Sequence, residues 1–461
     1  MGMSLHLLSD SFSLHTHLSN LYLDNASPSS LQEQRREAMS LGPVARGAIC
    51  LLAASIIVIS TVNLRCDGSR SADDLSLDDY GEDDNGDSSS SFTFRPETSS
   101  PGLVFFGFYD DKYPDAEEII SSTVRKLYHA DPNVAAALVR LFFHDCFIHV
   151  RRNKQTPCRP ASHLIFPATL TRAHTKTLSS PVRAYVQGCD ASVLLDRVDG
   201  RKSERDAGPN QSVRGMGAVE AIKQRVEKAC PGTVSCADIL ALAARDSLVL
   251  VGGPTYPVLT GRRHSAQSFY HDVVAGSIPP PNATYAMTLA AFARRGQFTE
   301  PETVALLVLL SAGAHSIGKV RCMFFADRIY DFAGTGAPND SIDPDMVGEK
   351  RAVCGGGGGD GDGNDGAAAM EMGYYRQGRE VGFGAHYYAK LLEGGGILRA
   401  DQQLTAGSTV RWVCVYASRA HSEEVFREDF AHAMVKLSAL APLTGSAGQV
   451  RISCSKPIQD N

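Results

Sequence analysis

The stretch that organises this chain, Leu138–Phe147, reads LVRLFFHDCF. If it is helical, Arg140 and His144 lie four residues apart and project from the same face about one turn from each other. A neutral imidazole can take a proton from one oxygen of a peroxide and return it to the other, while a guanidinium stabilises the charge that develops on the leaving oxygen. Phe143 would narrow the pocket beside them. Taken alone the pairing is weak evidence, because an Arg and a His at this spacing are usually surface residues.

Other motifs further along the chain strengthen this interpretation. Leu138–Phe147 is followed by GCDAS at Gly188–Ser192 and by SAGAHSIG at Ser311–Gly318. Together these stretches resemble the secretory plant peroxidases, the class III haem peroxidases, from about Phe105 to Cys454. The resemblance implies a mostly α-helical haem-peroxidase fold, in which two helical lobes enclose a b-type haem and are stabilised by disulfides and calcium.

Composition agrees with a globular domain and excludes some partners. The chain has 461 residues, of which 43% are hydrophobic, and its formal net charge is −6. Much of the acidity lies in residues 67–92, which hold nine acidic residues and one arginine. No strong basic patch points to nucleic acid. We expect a monomer.

The first 103 residues have the organisation of a leader and a linker. Ala48–Val62 is an apolar run of 15 residues, AICLLAASIIVISTV, which is short for a membrane span and typical of a signal-peptide core. Met39 just upstream would be a conventional start, so residues 1–66 are predicted to be a signal-peptide leader or, alternatively, a signal anchor. Residues 67–103 form an acidic linker rich in Ser and Asp, and the peroxidase-like domain covers residues 104–457. We expect secretion to the extracellular space or cell wall, with the vacuole as an alternative.

The domain is interrupted by a 38-residue insertion, Val150–Gln187. Its removal joins HDCFIH to GCDASVLLD and restores the family's spacing. The segment holds seven Lys or Arg and no acid, suggests no helix, and begins and ends with residues whose codons fit the boundaries of an intron. We therefore interpret it as a retained intron; the alternative is a genuine surface insertion.

Hydrophobic periodicity predicts a series of helices in the domain, and alternating strand patterns are scarce. Asp131-Pro132 separates the first two helices. The predicted helices cover Ala116–Ala130, a segment starting at Asn133, Val213–Lys228, Ser235–Leu250, Tyr285–Arg295, Pro301–Leu310, Cys322–Phe332, Ala385–Leu392 and Glu423–Leu440.

Eleven cysteines in a chain that carries an apolar leader indicate an oxidising compartment. The resemblance implies three disulfides, which would join Cys146 to Cys189, Cys236 to Cys454 and Cys322 to Cys354. A fourth bridge of the family would normally reach Cys230, but Tyr113 stands at the position of its partner. Cys230 is therefore predicted to be unpaired.

The resemblance also implies roles for residues around the haem. His315 would be the axial iron ligand, and Asp401 would accept a hydrogen bond from its other ring nitrogen; a helix N-cap is the alternative for Asp401. On the opposite side, His144 would be the base and Asn210 its oriented acceptor. Pro279 would lie at the entrance for aromatic donors, unless it is simply a rigid turn.

Two calcium sites are implied, and the chain departs from the family at the second. The distal site would use side chains and backbone carbonyls of Asp145, Ile148, Gly188, Asp190 and Ser192. Glu204 would connect this site to Asn210 through water. The proximal site would use Ser316, but Gly384 stands where an Asp is usual. His264 likewise replaces an Asp. Residues 355–366 are a glycine-rich insertion. Of three glycosylation sequons, Asn210 should be too buried for use, whereas Asn282 and Asn339 look available.

By resemblance, the expected function is a haem-dependent peroxidase that uses hydrogen peroxide and one-electron donors such as phenols, serving cell-wall polymer coupling and peroxide removal. One alternative is an inactive peroxidase-like protein, in which the insertion and the missing disulfide prevent haem loading. A second alternative, an intracellular ascorbate-type peroxidase, fits the cysteines and the leader less well.

Overall fold

A computed structural model of the chain describes residues 104–148, 150–152, 185–198, 200–276, 278–309, 317–355, 369–371, 383–418 and 421–458. Several predicted features lie outside these residues. They are the leader with Ala48–Val62, the linker before Val104, most of the 150–187 insertion, most of the glycine-rich segment, and both His315 and Ser316.

The described part of the chain is mostly helical, as predicted. Its α-helices are α1 Ala116–Ala130, α2 Asn133–Phe147, α3 Met216–Ala229, α4 Cys236–Leu250, α5 Tyr270–Val274, α6 Tyr285–Gly296, α7 Glu300–Leu306, α8 Ala326–Tyr330, α9 Pro344–Cys354, α10 His386–Leu392, α11 Arg399–Gln402, α12 Val410–Ser418 and α13 Ser422–Ser438. Its strands are β1 Val150–Arg152, β2 Tyr185–Gln187, β3 Lys319–Arg321 and β4 Ala369–Glu371. Single 3₁₀ turns connect many of these elements, for example Glu204–Asp206 and Gly208–Asn210.

The helix α2 lies in the centre of the first group of helices. It packs mainly against α4, while α1 packs against α3 and α4. Twelve of its 15 residues are buried, so it is covered on all sides rather than along one stripe. A second group, α7, α10, α12 and α13, packs together through aromatic residues such as Tyr388, Tyr416 and Phe426. Because α2 is enclosed, its polar side chains are held in a water-poor environment.

Local signals at helix starts explain why most predicted boundaries are close to the observed ones. The hydroxyls of Ser235 and Thr284 accept hydrogen bonds from backbone N–H groups in the first turns of α4 and α6. Thr299 and Glu302 form a capping box at the start of α7. The predicted helix Cys322–Phe332 is wrong as a single element, because a 3₁₀ turn at Cys322–Phe324 precedes α8. The prediction missed α5, α9, α11 and α12.

The two ends of the 150–187 insertion pair with each other. Val150 lies opposite Gln187, and Arg152 lies opposite Tyr185, in an antiparallel two-stranded ribbon. The flanking Cys146–Cys189 bridge is formed, with a Cα–Cα distance of 4.0 Å. The two flanks of the insertion are therefore held next to each other by the β1–β2 ribbon and the neighbouring disulfide, whatever the origin of the segment.

The three disulfides implied by the resemblance are present. Besides Cys146–Cys189, the structure joins Cys236 to Cys454 and Cys322 to Cys354. Cys230 is buried and forms no disulfide with any cysteine that the structure describes, as predicted. Tyr113 packs against the same hydrophobic core as Cys230. Within the described residues, no helix has both the length and the hydrophobicity needed to cross a membrane.

Candidate active site

The central pair of the site is His144 on α2 and Asn210 in the 3₁₀ turn before α3. The Nδ1 atom of His144 lies 2.7 Å from Oδ1 of Asn210, and both side chains are about 1% exposed. The amide nitrogen of Asn210 donates to the backbone carbonyl of Glu204 at 3.0 Å. This bond orients the amide so that its oxygen faces the ring. Asn210 is thus bonded directly to the backbone of Glu204, and the predicted link through water from Glu204 to the calcium region remains a prediction.

This hydrogen bond determines what the imidazole of His144 can do. An amide oxygen only accepts, so Nδ1 carries the proton and Nε2 presents a lone pair. Nε2 is buried and has no hydrogen-bond partner among the described residues. Burial, and to a lesser extent the positive charge of Arg140, lower the pKa of His144 to about 3, against the opposite effect of the hydrogen bond with Asn210. The ring is therefore a neutral base with a free lone pair at physiological pH.

Arg140 lies one turn before His144 and is 5% exposed. Its Nη2 donates to the Ser212 hydroxyl at 2.9 Å, and its Nε is buried without a partner in the described part of the protein. Ser212 was missed by the sequence reasoning, although it lies two residues after Asn210 in the same turn. A cavity of about 530 Å³ is lined by Arg140 and Ser212, together with residues of β3.

Phe143 and Pro279 are the remaining predicted residues near this region. Phe143 is fully buried and stacks on Phe147 at 4.7 Å between ring centroids, with Phe292 next to both. It therefore supports α2 from behind and is not among the residues that line the cavity. Pro279 is buried in the loop before α6. Its predicted role at a donor entrance remains a prediction.

The residues present fit a haem on the His144 side. Two buried nitrogens, Nε2 of His144 and Nε of Arg140, have no partner in the described ranges of the chain. Buried polar atoms are normally paired, so an unpaired one can mark the place of a ligand. His315 would have to supply the iron ligand on the other side and lies outside the described residues, as does Ser316.

Asp401 is buried and uses both carboxylate oxygens. Oδ1 accepts from the Tyr387 hydroxyl at 3.0 Å, and Oδ2 accepts from the backbone N–H of Leu398 at 3.0 Å. The second contact is a helix-start bond from the third residue of α11, so Asp401 is not the N-cap that we had considered. Its predicted hydrogen bond to His315 remains a prediction.

The residues predicted for the distal calcium site lie together behind α2. Asp145, Asp190, Ser192 and Glu204 are each no more than 2% exposed. One oxygen of Asp145 accepts from Ala191 N–H at 2.9 Å, and its other oxygen has no partner among the described residues. Burial and then the charge of Asp190 raise the pKa of Asp145 to about 7 and that of Glu204 to about 8. A cation at this cluster would offset the electrostatic repulsion between these buried carboxylates.

Two arginine side chains already donate hydrogen bonds to backbone carbonyls beside this acidic cluster. Arg295 Nε donates to the Cys146 carbonyl at 3.1 Å, and Arg451 Nη2 donates to the Ala191 carbonyl at 2.7 Å. Ile148 and Gly188 are buried beside it. No group of three or more His, Cys, Asp or Glu side chains in the described ranges is arranged to hold a metal by itself. A calcium ion there would depend on backbone carbonyls and the hydroxyl of Ser192.

An ion pair lies beside Gly384, the position at which the resemblance would place an aspartate of the proximal calcium site. A Cβ atom on Gly384 would lie 3.1 Å from a carboxylate oxygen of Glu423. Glu423 accepts from Ala385 N–H at 2.8 Å and from Arg427 Nε at 2.8 Å. The space that an aspartate side chain would use is thus occupied by another carboxylate, which is neutralised by an arginine. The second calcium site expected from the resemblance therefore finds no support here.

The contacts of His264 show how the chain accommodates a histidine where the family has an aspartate. His264 is fully buried, and its Nδ1 accepts from the backbone N–H of Arg451 at 2.7 Å, so a ring nitrogen takes the place of a lost carboxylate oxygen.

Among the glycosylation sequons, Asn210 is buried and Asn282 is exposed, as expected. Asn339 is only 7% exposed because it folds back onto Ser341, so our expectation of its availability is wrong.

A buried neutral histidine, an arginine one turn away, and an asparagine that fixes the imidazole form the distal apparatus of a haem peroxidase, within a disulfide-bonded helical fold. Comparisons with known proteins give the same class. The family model described as Peroxidase matches residues 120–419.

Individual relatives extend over most of the chain. It is 37% identical over 350 residues to Peroxidase 28 of Arabidopsis thaliana, covering 76% of this chain and 91% of the relative. It is 35% identical over 350 residues to Peroxidase 57 of the same plant, with the same coverage of 76% and 91%. It is 32% identical over 359 residues to Peroxidase C2 of Armoracia rusticana, covering 76% and 87%.

The chain belongs to the peroxidase family. The predicted fold class, enzyme class and haem peroxidase function are confirmed by these matches, which do not favour the alternative of an inactive protein. Disulfide bonding is confirmed as well.

Proposed function

We propose that this peroxidase reduces hydrogen peroxide at His144 and Arg140 while it oxidises small phenolic donors by one-electron steps. The observation that carries this proposal is a His144 ring whose Nδ1 is held by Asn210 at 2.7 Å, while its buried Nε2 has no partner among the residues that the structure describes. A ring fixed in this tautomer can receive a proton at one atom only. That atom is the one left without a partner.

The proton transfer follows from these positions. Nε2 of His144 accepts the proton from the first peroxide oxygen, and the resulting imidazolium returns it to the second oxygen, which leaves as water. The guanidinium of Arg140, held by Ser212, stabilises negative charge on the leaving oxygen. Two phenol molecules each lose one electron and one proton, so one peroxide yields two waters and two phenoxyl radicals.

A b-type haem, when bound, supplies the electron-transfer chemistry between peroxide and donor. His315 would hold its iron, and Asp401 would accept a hydrogen bond from the other nitrogen of that histidine. Asp401 is suited to this role because it is buried and oriented by Tyr387. Phe143 would support the distal wall from behind. Pro279 would lie near the entrance for donors.

One calcium ion is part of the proposal, at the distal cluster of Asp145, Asp190, Ser192 and Glu204. It is supported by one carboxylate oxygen of Asp145 and one of Glu204, which are buried and have no hydrogen-bond partner within the described part of the chain. The proposed location of the protein is extracellular or in the cell wall, supported by the apolar run Ala48–Val62 and by the disulfides. We propose a monomer.

The test compares two secreted forms, the full chain and the same chain lacking Val150–Gln187. Haem incorporation is measured by absorption in the Soret region, and turnover is measured with hydrogen peroxide and guaiacol. We expect both forms to bind haem and oxidise guaiacol if the β1–β2 ribbon isolates the insertion from the site. Activity of the shortened form only would retain the function and identify the insertion as an obstruction. Failure of both forms would overturn the proposal.

A further inference from the structure

Four aromatic side chains that can be oxidised form a row that begins at Asp401, and we call it the aromatic row. The hydroxyl of Tyr387 donates to Asp401 at 3.0 Å. Ring centroids are 5.0 Å apart between Tyr387 and Tyr388, and 4.9 Å apart between Tyr388 and Tyr416. The ring of Trp412 follows at 6.3 Å from that of Tyr416. Each step lies within the range of packed aromatic pairs, so an electron can pass from one ring to the next.

The two ends of the aromatic row differ in their exposure. The three tyrosines are fully buried, whereas Trp412, on α12, is partly exposed. Phe426 packs against Tyr388 and Tyr416, but a phenyl ring is much harder to oxidise than a phenol or an indole. The row therefore leads from the residue that we propose as the partner of the axial histidine to a single ring at the surface.

The buried tyrosines have partners that suit electron transfer. Tyr416 donates to Oδ2 of Asp429 at 2.6 Å. A phenol that loses an electron becomes a strong acid, so its proton would move to this carboxylate and return with the next electron. Burial raises the pKa of Asp429, which favours its holding that proton. Tyr388 donates instead to the Val304 carbonyl at 2.9 Å, which is too weak a base to take the proton, so Tyr388 serves as a bridge.

Trp412 is suited to take electrons from a donor in solution. Its Nε1 is buried and has no hydrogen-bond partner among the residues that the structure describes. An indole that loses an electron in this position keeps its proton, and a protonated indole radical is a stronger oxidant than a deprotonated one. The guanidinium of Arg411 lies 5.5 Å from the ring centroid, and its charge is balanced by Glu300 at 2.6 Å.

We propose that Trp412 is a second donor site, at the protein surface, where phenols attached to a polymer are oxidised and their electrons pass inward along the aromatic row. The proposal rests on the proposed function, which supplies the oxidant. The cavity of about 530 Å³ beside His144 admits small molecules only, so these donors need a site outside it. Each phenol gives one electron to Trp412 and one proton to the solvent, and two such phenols are consumed for each peroxide.

The first measurement compares two donors on the haem-loaded full chain. Guaiacol can enter the cavity, whereas 4-hydroxyphenyl groups attached to dextran by a short linker cannot. We expect W412F and Y416F to oxidise guaiacol at an unchanged rate and to lose the oxidation of the dextran-bound phenol. Both substitutions keep an aromatic ring in place. Y128F is the matched control, because Tyr128 is a partly exposed tyrosine on α1 outside the row, and it should keep both activities.

The second measurement detects the radical without any donor. The haem-loaded chain is treated with hydrogen peroxide and a nitroso spin trap, and the adducts are located by peptide mapping. Trp412 is the single tryptophan of the chain, so an adduct on its indole is assigned without ambiguity. We expect the adduct in the unaltered chain and in Y128F, and its loss in Y416F. Soret absorption and circular dichroism verify that each variant binds haem and is folded.

The proposal is overturned if W412F oxidises the dextran-bound phenol as fast as the unaltered chain does, or if Trp412 carries the same amount of adduct in Y416F. If guaiacol is oxidised but no adduct forms on Trp412, the proposed function stands and the surface site fails. If guaiacol is not oxidised but the adduct forms and disappears in Y416F, the proposed function fails while the route along the aromatic row stands.

Discussion

Nδ1 of His144 and Oδ1 of Asn210 are 2.7 Å apart although the two residues are separated by 66 positions in the chain. The bond fixes which ring nitrogen carries the proton, and the buried site fixes the charge of the ring. Both conditions are needed for a base that acts on a neutral peroxide.

We expect His144→Gln to slow the reaction with hydrogen peroxide by roughly 10²- to 10⁴-fold, the usual contribution of a positioned general base. Asn210→Val should give a smaller loss, because the base is retained but its tautomer is no longer enforced. Stopped-flow absorption of the haem-loaded protein measures both rates. Arg125→Gln, at an exposed position on α1 that does not line the cavity, is the control for unspecific effects of a substitution. An unaltered rate in His144→Gln would remove this residue from the mechanism.

The acid limb of the rate profile should reflect His144. Its pKa of about 3 means that the ring is neutral at higher pH and becomes protonated, hence inactive, only as the pH falls through that value. The rate should therefore be level from neutral pH down to about pH 4. Asn210→Asp places a negative charge next to the ring, raises the pKa of His144 and moves the acid limb to higher pH. Circular dichroism at each pH separates this shift from unfolding.

Removal of calcium should lower the thermal stability. A ligand that binds only the folded state stabilises it by about 2.7 kcal/mol at a concentration of 100 times Kd, so adding a chelator should lower Tm by several degrees. Asp190→Asn should abolish the difference between calcium and chelator, because one of the buried carboxylates of the site is lost. Asp111→Asn, at an exposed position, should preserve it. Equal Tm values for the unaltered chain in calcium and in chelator would exclude the distal ion.

The missing fourth disulfide can be restored by Tyr113→Cys. Cys230 is a buried free thiol, and Tyr113 packs against the same core. A native-type disulfide in this kind of fold contributes about 2 to 5 kcal/mol to the free energy of unfolding. We expect a rise in Tm together with loss of the Cys230 thiol in peptide mapping. The double variant Tyr113→Cys with Cys230→Ala removes the partner and should be less stable than the unaltered chain, because it loses the tyrosine packing without a bond in return.

His264→Asp should stabilise the protein. The ring nitrogens of His264 face the backbone N–H groups of Cys236 and Arg451, but a neutral imidazole has only one acceptor nitrogen. A carboxylate accepts from both, and the nearby charges of Arg451 and Lys223 favour it. Hydrogen bonds to a charged group contribute about 1.5 to 3 kcal/mol each, so the net gain measured by urea unfolding should be at least about 1 kcal/mol. His264→Asn has a single acceptor and should give no gain.

The first group of helices, α1 to α4, could be predicted from the sequence because the signals for these helices are local. Asp131-Pro132 interrupts the chain between α1 and α2, and hydrophobic spacing continues on both sides. The elements α5, α9 and α11 were missed because they are short or polar, and short helices depend on packing rather than on propensity.

The sequence by itself determined that Arg140 and His144 share one face of a helix, since a spacing of four residues has only one outcome in α-helical geometry. It also determined, through resemblance, the partners of Cys236 and Cys322. Only the tertiary structure decided that Ser212 holds Arg140 and that Glu423 occupies the space beside Gly384. Those contacts join positions far apart in the chain, and no periodicity encodes the distance between two side chains that meet only after the helices have packed.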